Sequence, residues 1–178
     1  MKPLLVIGLG NPLMGDEGIG WHVAERLSAD PRLPAGAKVI CGGTDLLRYA
    51  DRIEESRRVI VVDALRDDAE PGSVWSFEAP GEPSVAGEPS GAGAPVFGSD
   101  ADIACQQVSS RLPGLDNRQD NAHCLSAVQA IQLLRLTVPV PITLLGISIP
   151  SASVQTGLSP ELASHLPAIL DRVLQELG

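Results

Sequence analysis

The chain has 178 residues and a hydrophobic content of 44%, which is enough to bury the core of one domain. Its formal net charge of −9 argues against nucleic acid as the main partner, because phosphate binding needs a surplus of Lys and Arg on one face. No apolar run reaches the ~18 residues that a membrane-spanning helix requires, and the N-terminal apolar run is too short for a secretion signal. We therefore expect a cytoplasmic protein with no membrane and no nucleic-acid partner.

The three cysteines, Cys41, Cys105 and Cys124, are far apart in the sequence. No CxxC pair occurs, so the sequence indicates neither a disulfide framework nor a zinc cluster. Cys124 directly follows His123. Consecutive helix residues point about 100° apart, so we do not expect these two side chains to bind one ion.

A strand followed by an amphipathic helix is predicted at the start of the chain. The apolar run PLLVIGL, at 3–9, is typical of a strand that is buried on both faces of a parallel sheet. Over 17–29, apolar residues recur at the spacing of one helix face. Asp16 stands at the expected N-cap of this helix.

The same order of strand and helix is then repeated. The segment AKVIC, at 37–41, predicts a second strand, and 44–56 predicts a helix that is capped by Thr44. The segment RVIVVDAL predicts a third strand over 59–62 that ends at Asp63.

Further elements are predicted in the second half of the chain. After a turn, Trp75 and Phe77 alternate with polar neighbours, which indicates a strand with one exposed face. A helix is predicted over 122–136, and PITLLGISI, at 141–149, predicts another strand.

The sequence GLSPEL predicts the start of the last helix. Gly157 favours a turn, Ser159 is a typical N-cap, and Pro160 suits the first helical position. Apolar residues then follow on one face: Leu162, Leu166, Ile169, Leu170, Val173 and Leu177. Pro167 lies within this pattern, and we expect it to kink the helix or to delay its start.

The alternation of strands and helices predicts an α/β fold, a three-layer sandwich with a mostly parallel central sheet. One segment does not fit this pattern. Residues 79–102 contain five glycines and four prolines and cannot bury enough apolar surface to form a core element. We expect a single domain over 1–178, in which this segment forms a long inserted loop.

The glycine-rich stretch GLGNPLMGDEGIG, at 8–20, joins the first strand to the first helix. A dinucleotide fingerprint would need a third glycine where Leu13 stands, and an acidic residue where Cys41 ends the second strand. The pair Asp16 and Glu17 would also repel phosphate, although a helix N-terminus attracts anions. The sequence therefore disfavours a phosphate site here.

Glu17, Asp63 and His123 predict a metal site instead. Glu17 follows the first strand, Asp63 ends the third strand, and His123 opens the helix after the long loop. Ligands of open parallel sheets bind beyond the carboxyl ends of the strands. Two carboxylates and a neutral imidazole suit a borderline divalent metal with open coordination positions. Each residue also has a simpler interpretation, as a complement to a helix dipole, a turn residue or a polar residue of a first helical turn. The spacing alone leaves these interpretations open.

Taken in order, these motifs resemble those of the nickel–iron hydrogenase maturation endopeptidases. The matching segments are GLGNPLMGDEGIG, WHVAERL, GGTDLL, VIVVDAL, a later His before an apolar helix, and GLSPEL. The resemblance spans most of the chain and implies a twisted central sheet with helices on both faces. It also implies removal of a C-terminal peptide from the hydrogenase large-subunit precursor, which is then the partner.

By motif match, the resemblance implies that Glu17, Asp63 and His123 contact nickel. The family is thought to recognise nickel that has already been delivered to the precursor, so the metal comes with the substrate and no permanent cofactor is assigned. Glu17 and Asp63 are the predicted catalytic residues. A water molecule polarised by the metal or by a carboxylate would attack the scissile carbonyl.

The glycine turn after the second strand is the predicted substrate-binding segment. Gly42, Gly43 and Thr44 are expected to offer backbone N–H groups to the substrate chain, by analogy with other glycine turns beside strands. The family usually has an acidic residue where Cys41 stands here. For this thiol we favour inert packing over a role as a soft ligand, because free cysteines are usually buried. A second departure is the insert, which lengthens the segment between Asp63 and His123.

Two other functions remain open from the sequence. One is a non-catalytic assembly factor that senses metal in the precursor, which would need the same ligands. The sequence shows no diagnostic Ser-His-Asp or Cys-His arrangement that would favour a protease over such a factor. GLGNP also resembles the opening of the peptidyl-tRNA hydrolases. The TRHN run of that family is absent here, and the net charge of −9 does not suit tRNA.

Overall fold

The computed structural model describes residues 1–79, 126–150 and 156–178, and these form an α/β fold around a five-stranded sheet. The strands are β1 (Leu4–Leu9), β2 (Lys38–Gly43), β3 (Arg58–Leu65), β4 (Val74–Ala79) and β5 (Ile142–Ser148). The α-helices are α1 (Ile19–Ser28), α2 (Ala50–Glu54), α3 (Ala127–Leu134) and α4 (Pro160–Leu177), and short 3-10 helices cover Gly15–Gly18 and Leu46–Tyr49. His123, Cys105, Cys124 and nearly all of the predicted insert lie outside the described residues.

The strands of the sheet lie in the order β2-β1-β3-β5-β4. The first four strands in this order run parallel, and β4 runs antiparallel to β5. At the centre of the sheet, Ile7 lies opposite Ile40 on one side and opposite Val61 on the other. The prediction of an α/β fold with a mostly parallel sheet is confirmed.

Strand β1 supplies side chains to two cores, one on each face of the sheet. Leu4 and Val6 pack with apolar residues of α1 and α4, whereas Leu5, Ile7 and Leu9 pack with residues of α2 and α3. Successive side chains of a strand point to opposite faces, so an uninterrupted apolar run requires cover on both sides. The predicted layers, with helices on both faces of the sheet, are confirmed.

Capping signals explain where the two C-terminal helices begin. Ser126 and Gln129 form a reciprocal capping box at the start of α3. Ser159 caps α4, because its Oγ accepts a hydrogen bond from the N–H of Leu162 at 3.2 Å. As predicted, α4 buries one apolar face, made by Leu162, Leu166, Ile169, Val173 and Leu177. None of the helices in the described ranges is long and apolar enough to cross a membrane.

One expectation about α4 and one predicted cap differ from the structure. α4 begins at Pro160, as its cap predicts, and continues through Pro167, so Pro167 does not delay the start of the helix. The cap and the buried face outweigh the loss of one backbone hydrogen bond. The helical segment after β2 is capped by Asp45 and not by Thr44, because Asp45 Oδ1 accepts a hydrogen bond from the N–H of Leu47 at 3.1 Å.

The sheet joins chain segments from both sides of the long undescribed stretch. β4 precedes that stretch and β5 follows it, and the two strands pair along their lengths, from Val74 opposite Ile147 to Ala79 opposite Ile142. Both parts of the chain therefore build one sheet. A single domain over 1–178 with a loop at 79–102 stays a prediction, because the loop lies almost entirely outside the described residues.

Candidate active site

The strand order places a topological switch point between β1 and β3. β2 lies on one side of β1, and β3 lies on the other side. The chain therefore reverses its direction across the sheet between β2 and β3. The connecting helices α1 and α2 pack on opposite faces of the sheet. In such sheets a crevice opens beyond the carboxyl ends of the two strands, and ligands bind there. Glu17 follows β1 and Asp63 lies near the end of β3, so both belong to this edge.

Two glycines allow the segment after β1 to approach the strand ends closely. A Cβ atom at Gly20 would overlap the carbonyl oxygens of Val62 and Leu9, and a Cβ atom at Gly10 would overlap the carbonyl oxygen of Glu17. Gly10 also has a φ of 117°, a conformation that favours glycine. At both positions only glycine allows the two backbone segments to pack this closely. Glu17 therefore lies beside the ends of the strands.

Asp16 does not cap α1, which corrects the sequence-based expectation. The N-cap of α1 is Gly18, which makes no side-chain capping bond. Asp16 is only 2% exposed, and its Oδ1 accepts a hydrogen bond from the N–H of Ser159 at 2.7 Å. Because Ser159 is the N-cap of α4, this bond joins the loop after β1 to the start of the last helix. Asp16 therefore has a structural partner.

Glu17 points to a different partner from its neighbour. Its carboxylate forms an ion pair with the guanidinium of Arg66, and both side chains are partly exposed to solvent. Arg66 immediately follows β3, so the pair spans the crevice from the β1 side to the β3 side. Arg66 is not among the site residues that the sequence predicts. Its only signal there is that it is the first cation after VIVVDAL, the segment that contains Asp63.

Asp63 lies within β3 and does not end it. The strand continues to Leu65, because Leu65 still pairs with Ser148 of β5. Asp63 is half-buried, and its Oδ1 accepts a hydrogen bond from the N–H of Ala64 at 2.8 Å. Burial raises the pKa of Asp63 to about 6, against the opposing effect of the bond from Ala64. A carboxyl group with a perturbed pKa in such a crevice is typical of a functional site.

The predicted metal ligands are only partly within the described residues. Glu17 and Asp63 lie at the same edge, and the 3-10 helix that carries Glu17 contacts β3. No group of three His, Cys, Asp or Glu side chains in the described ranges is placed to hold a metal ion. His123 lies outside those ranges, so the three-ligand site stays a prediction. The two carboxylates supply oxygen donors that suit a divalent cation.

Comparison with known proteins points to one family. Residues 21–81 match the family model described as hydrogenase maturation protease. The chain is 34% identical over 86 residues to a putative hydrogenase maturation protease of Methanocaldococcus jannaschii, which covers 47% of this chain and 55% of the relative. It is also 24% identical to the hydrogenase 2 maturation protease of Escherichia coli. That alignment spans 176 residues and covers 98% of this chain and 90% of the relative.

The resemblance to hydrogenase maturation proteases is confirmed. Among solved structures, the hydrogenase maturating endopeptidase HybD from E. coli superposes with a TM-score of 0.66 at 22% identity, over 98% of this chain and 91% of that chain. This likeness shows a shared fold.

The matches to several relatives are shorter than the relatives themselves. In three curated relatives of at least 34% identity, the matched region covers 40%, 55% and 36% of the relative's own length. These matches therefore establish that the chain is similar to hydrogenase maturation proteases. Its activity, substrate and partner are proposed below.

The predicted substrate-binding residues lie within the maturation-protease match, at the end of β2. Gly42 is buried, Gly43 is half-buried and Thr44 is exposed. The N–H of Gly10 donates a hydrogen bond to the carbonyl of Gly43 at 2.8 Å, which holds this turn beside the loop after β1. β2 is an edge strand among the described residues. A role of this turn in binding a substrate chain stays a prediction.

Cys41 lies in β2, at the position where the family resemblance implies an acidic residue. The residue is exposed, and its Sγ lies 3.9 Å from the carbonyl oxygen of Trp21. The expectation that Cys41 is inert packing stays a prediction. Partial desolvation of the thiol, followed by the nearby charge of Glu25, raises the pKa of Cys41. The thiolate is the form that binds metals, so a raised pKa weakens the case for Cys41 as a soft ligand.

Proposed function

We propose that this protein is an endopeptidase that removes a C-terminal peptide from the large-subunit precursor of a nickel–iron hydrogenase. The observation that carries this proposal is the position of Glu17 and Asp63 at the switch point between β1 and β3. A chain similar to hydrogenase maturation proteases thus has two carboxylates at the edge where α/β proteins bind their ligands. The hydrolase activity and the precursor as partner both belong to this proposal.

In this proposal nickel arrives as part of the substrate. Glu17, Asp63 and His123 are the side chains that would contact a nickel ion already held by the precursor. Three protein ligands leave coordination positions for groups of the precursor, so the metal reports that loading is complete. The protein needs no permanent cofactor for this recognition. The backbone of Gly42, Gly43 and Thr44 would hold the substrate chain next to the crevice.

The proposed chemistry is hydrolysis of one peptide bond. A water molecule transfers a proton to a carboxylate of the site as its oxygen bonds to the scissile carbonyl carbon. The C–N bond then breaks, and the leaving amine nitrogen takes up the proton. Glu17 and Asp63 are the two candidates for this transfer, because both carboxylates lie at the crevice. The free acid and the C-terminal peptide are the products.

The proposal is tested with purified nickel-loaded precursor and the variant Glu17→Gln. Loss of the carboxylate removes one metal-contacting oxygen and its charge, so we expect the cleavage rate to fall by at least about 100-fold. Mass spectrometry of the precursor measures the outcome directly, because a cleaved precursor has a shorter C-terminus. Normal cleavage by Glu17→Gln would refute the assignment.

The matched control is Glu54→Gln, which removes an exposed carboxylate at the end of α2, far from the carboxyl edge of the sheet. We expect this variant to cleave like the wild-type protein. The wild-type reaction also separates the two candidate functions. Co-elution with a precursor of unchanged mass would indicate a non-catalytic assembly factor instead of a protease.

A further inference from the structure

Arg66 places a positive charge on one of the two carboxylates of the candidate site. Its guanidinium pairs with the carboxylate of Glu17, and the exposed fractions of the two side chains are 55% and 28%. Arg66 pairs with Oε1 of Glu17, so a metal ion at this carboxylate either displaces the guanidinium or binds the other oxygen beside its positive charge. In both cases the positive charge of Arg66 opposes the binding of a cation to Glu17.

The backbone that carries Arg66 is held by a partly buried hydrogen-bond network around Ser148. The next residue, Asp67, accepts a hydrogen bond through Oδ2 from the hydroxyl of Ser148 at 3.0 Å. Ser148 is fully buried, and its Oγ also accepts the indole N–H of Trp75 at 3.0 Å. The far end of the turn is held as well, because the N–H of Gly72 donates to the carbonyl of Ser148 at 2.8 Å. Arg66 thus projects from an anchored turn.

We infer that Arg66 is a specificity-determining residue that disfavours free metal ions at the site and yields to nickel presented by the precursor. This inference rests on the proposed function, since nickel in the precursor is the cation concerned. A free ion must overcome this opposing charge with only its own attraction to the site. A nickel ion held by the precursor also gains the contacts between the two proteins, which offset the loss of the ion pair.

The partial exposure of the pair suits this role. Partly exposed ion pairs are weak, because water and salt screen them and both side chains lose freedom. Arg66 is therefore able to leave Glu17 when the precursor binds. The guanidinium is nevertheless close enough to repel a divalent cation that approaches Glu17. The combined effect is a modest penalty on free ions, without a permanent block.

The test is a calorimetric titration of the metal-free protein with Ni²⁺ alone. We expect Arg66→Ala to bind Ni²⁺ about three- to tenfold more tightly than the wild-type protein. The control Arg57→Ala removes an exposed arginine whose backbone N–H bonds to Pro3, at the opposite end of the sheet, and it should match the wild type. The gain should vanish in the double variant Glu17→Gln/Arg66→Ala. Circular dichroism and thermal unfolding check that each variant is folded.

Three results would overturn the inference: equal Ni²⁺ affinity of Arg66→Ala and wild type, no measurable binding by Arg66→Ala, or a gain that persists without Glu17. These outcomes are separate from the failure of the proposed function. If Glu17→Gln still cleaves the precursor, the proposed function fails whatever the titration gives. If cleavage requires Glu17 but Arg66→Ala binds Ni²⁺ like wild type, only the role of Arg66 fails.

Discussion

At the scale of single residues, the adjacent carboxylates Asp16 and Glu17 have different environments. Asp16 is buried and bonded to the backbone of Ser159, whereas Glu17 faces the crevice and pairs with Arg66. A buried carboxylate needs a fixed donor, and the backbone N–H of Ser159 supplies one. A partly exposed carboxylate remains able to exchange partners. The DE pair of the glycine-rich motif therefore combines a structural residue with a candidate site residue.

Asp63 gives a prediction about the pH dependence of stability. Its pKa in the folded protein is raised from 3.8 to about 6, so between these values the folded protein binds more protons at this group than the unfolded chain does. The contribution of Asp63 to the free energy of unfolding is therefore largest below pH 3.8 and falls as the pH rises to about 6. We expect Asp63→Asn to lack this loss and to be more stable than wild type at neutral pH, by about 1–3 kcal/mol.

Urea unfolding of both proteins over a pH series from about 4 to 8 measures this difference. Asp51→Asn, which alters an exposed carboxylate of α2, should show no comparable gain. A difference between Asp63→Asn and wild type that does not change with pH would contradict the assignment of a raised pKa. In the precursor assay, the same variant should be slow, since a site residue often trades stability for function.

At the scale of elements, the 3-10 helix after β1 and the start of α4 form one unit. They are far apart in the chain, yet Asp16 and Ser159 are joined by a hydrogen bond of 2.7 Å over a sequence separation of 143 residues. A second contact, from the N–H of Gly157 to the carbonyl of Pro12 at 3.3 Å, lies beside it. The position of Glu17 thus depends on the docking of the last helix.

The variant Asp16→Ala tests this link. It leaves the N–H of Ser159 without its acceptor in a partly buried setting, so we expect the free energy of unfolding to fall by about 1–2 kcal/mol. Chemical denaturation measures the loss. Removal of an exposed carboxylate in Asp51→Ala should cost far less. If the two variants were equally stable, the bond from Ser159 would contribute little to the docking of α4.

Element boundaries show which predictions from the sequence succeed. The start of α4 is predicted correctly because Ser159 and Pro160 act within one turn of the helix. The apolar run of β1 likewise predicts its strand, since its pattern is local. The C-terminal limit of β3 is predicted less well, because pairing with β5 carries the strand past Asp63 to Leu65. That pairing joins segments about 80 residues apart in the sequence, beyond what a local pattern can report.

At the scale of the whole molecule, the strand order gives a prediction about local stability. β1 and β3 each have a strand on both sides, whereas β2 and β4 are edge strands among the described residues. We expect the central amides of Val6 and Val61 to exchange with solvent at least about 100-fold more slowly than those of β2. Hydrogen-exchange mass spectrometry or NMR measures these rates. Amides of β2 that exchange as slowly as those of β1 would contradict this order of stability.

The sequence by itself determined the class of fold, the main strands and helices, and the resemblance to hydrogenase maturation proteases, because these depend on apolar spacing, caps and short motifs. It also selected Glu17 and Asp63 by motif. The tertiary structure alone decided the strand order that brings these two residues to one edge, the bond from Ser159 to Asp16, and the pairing of Arg66 with Glu17. Those contacts depend on which distant segments pack side by side, and no local pattern in the chain encodes that choice.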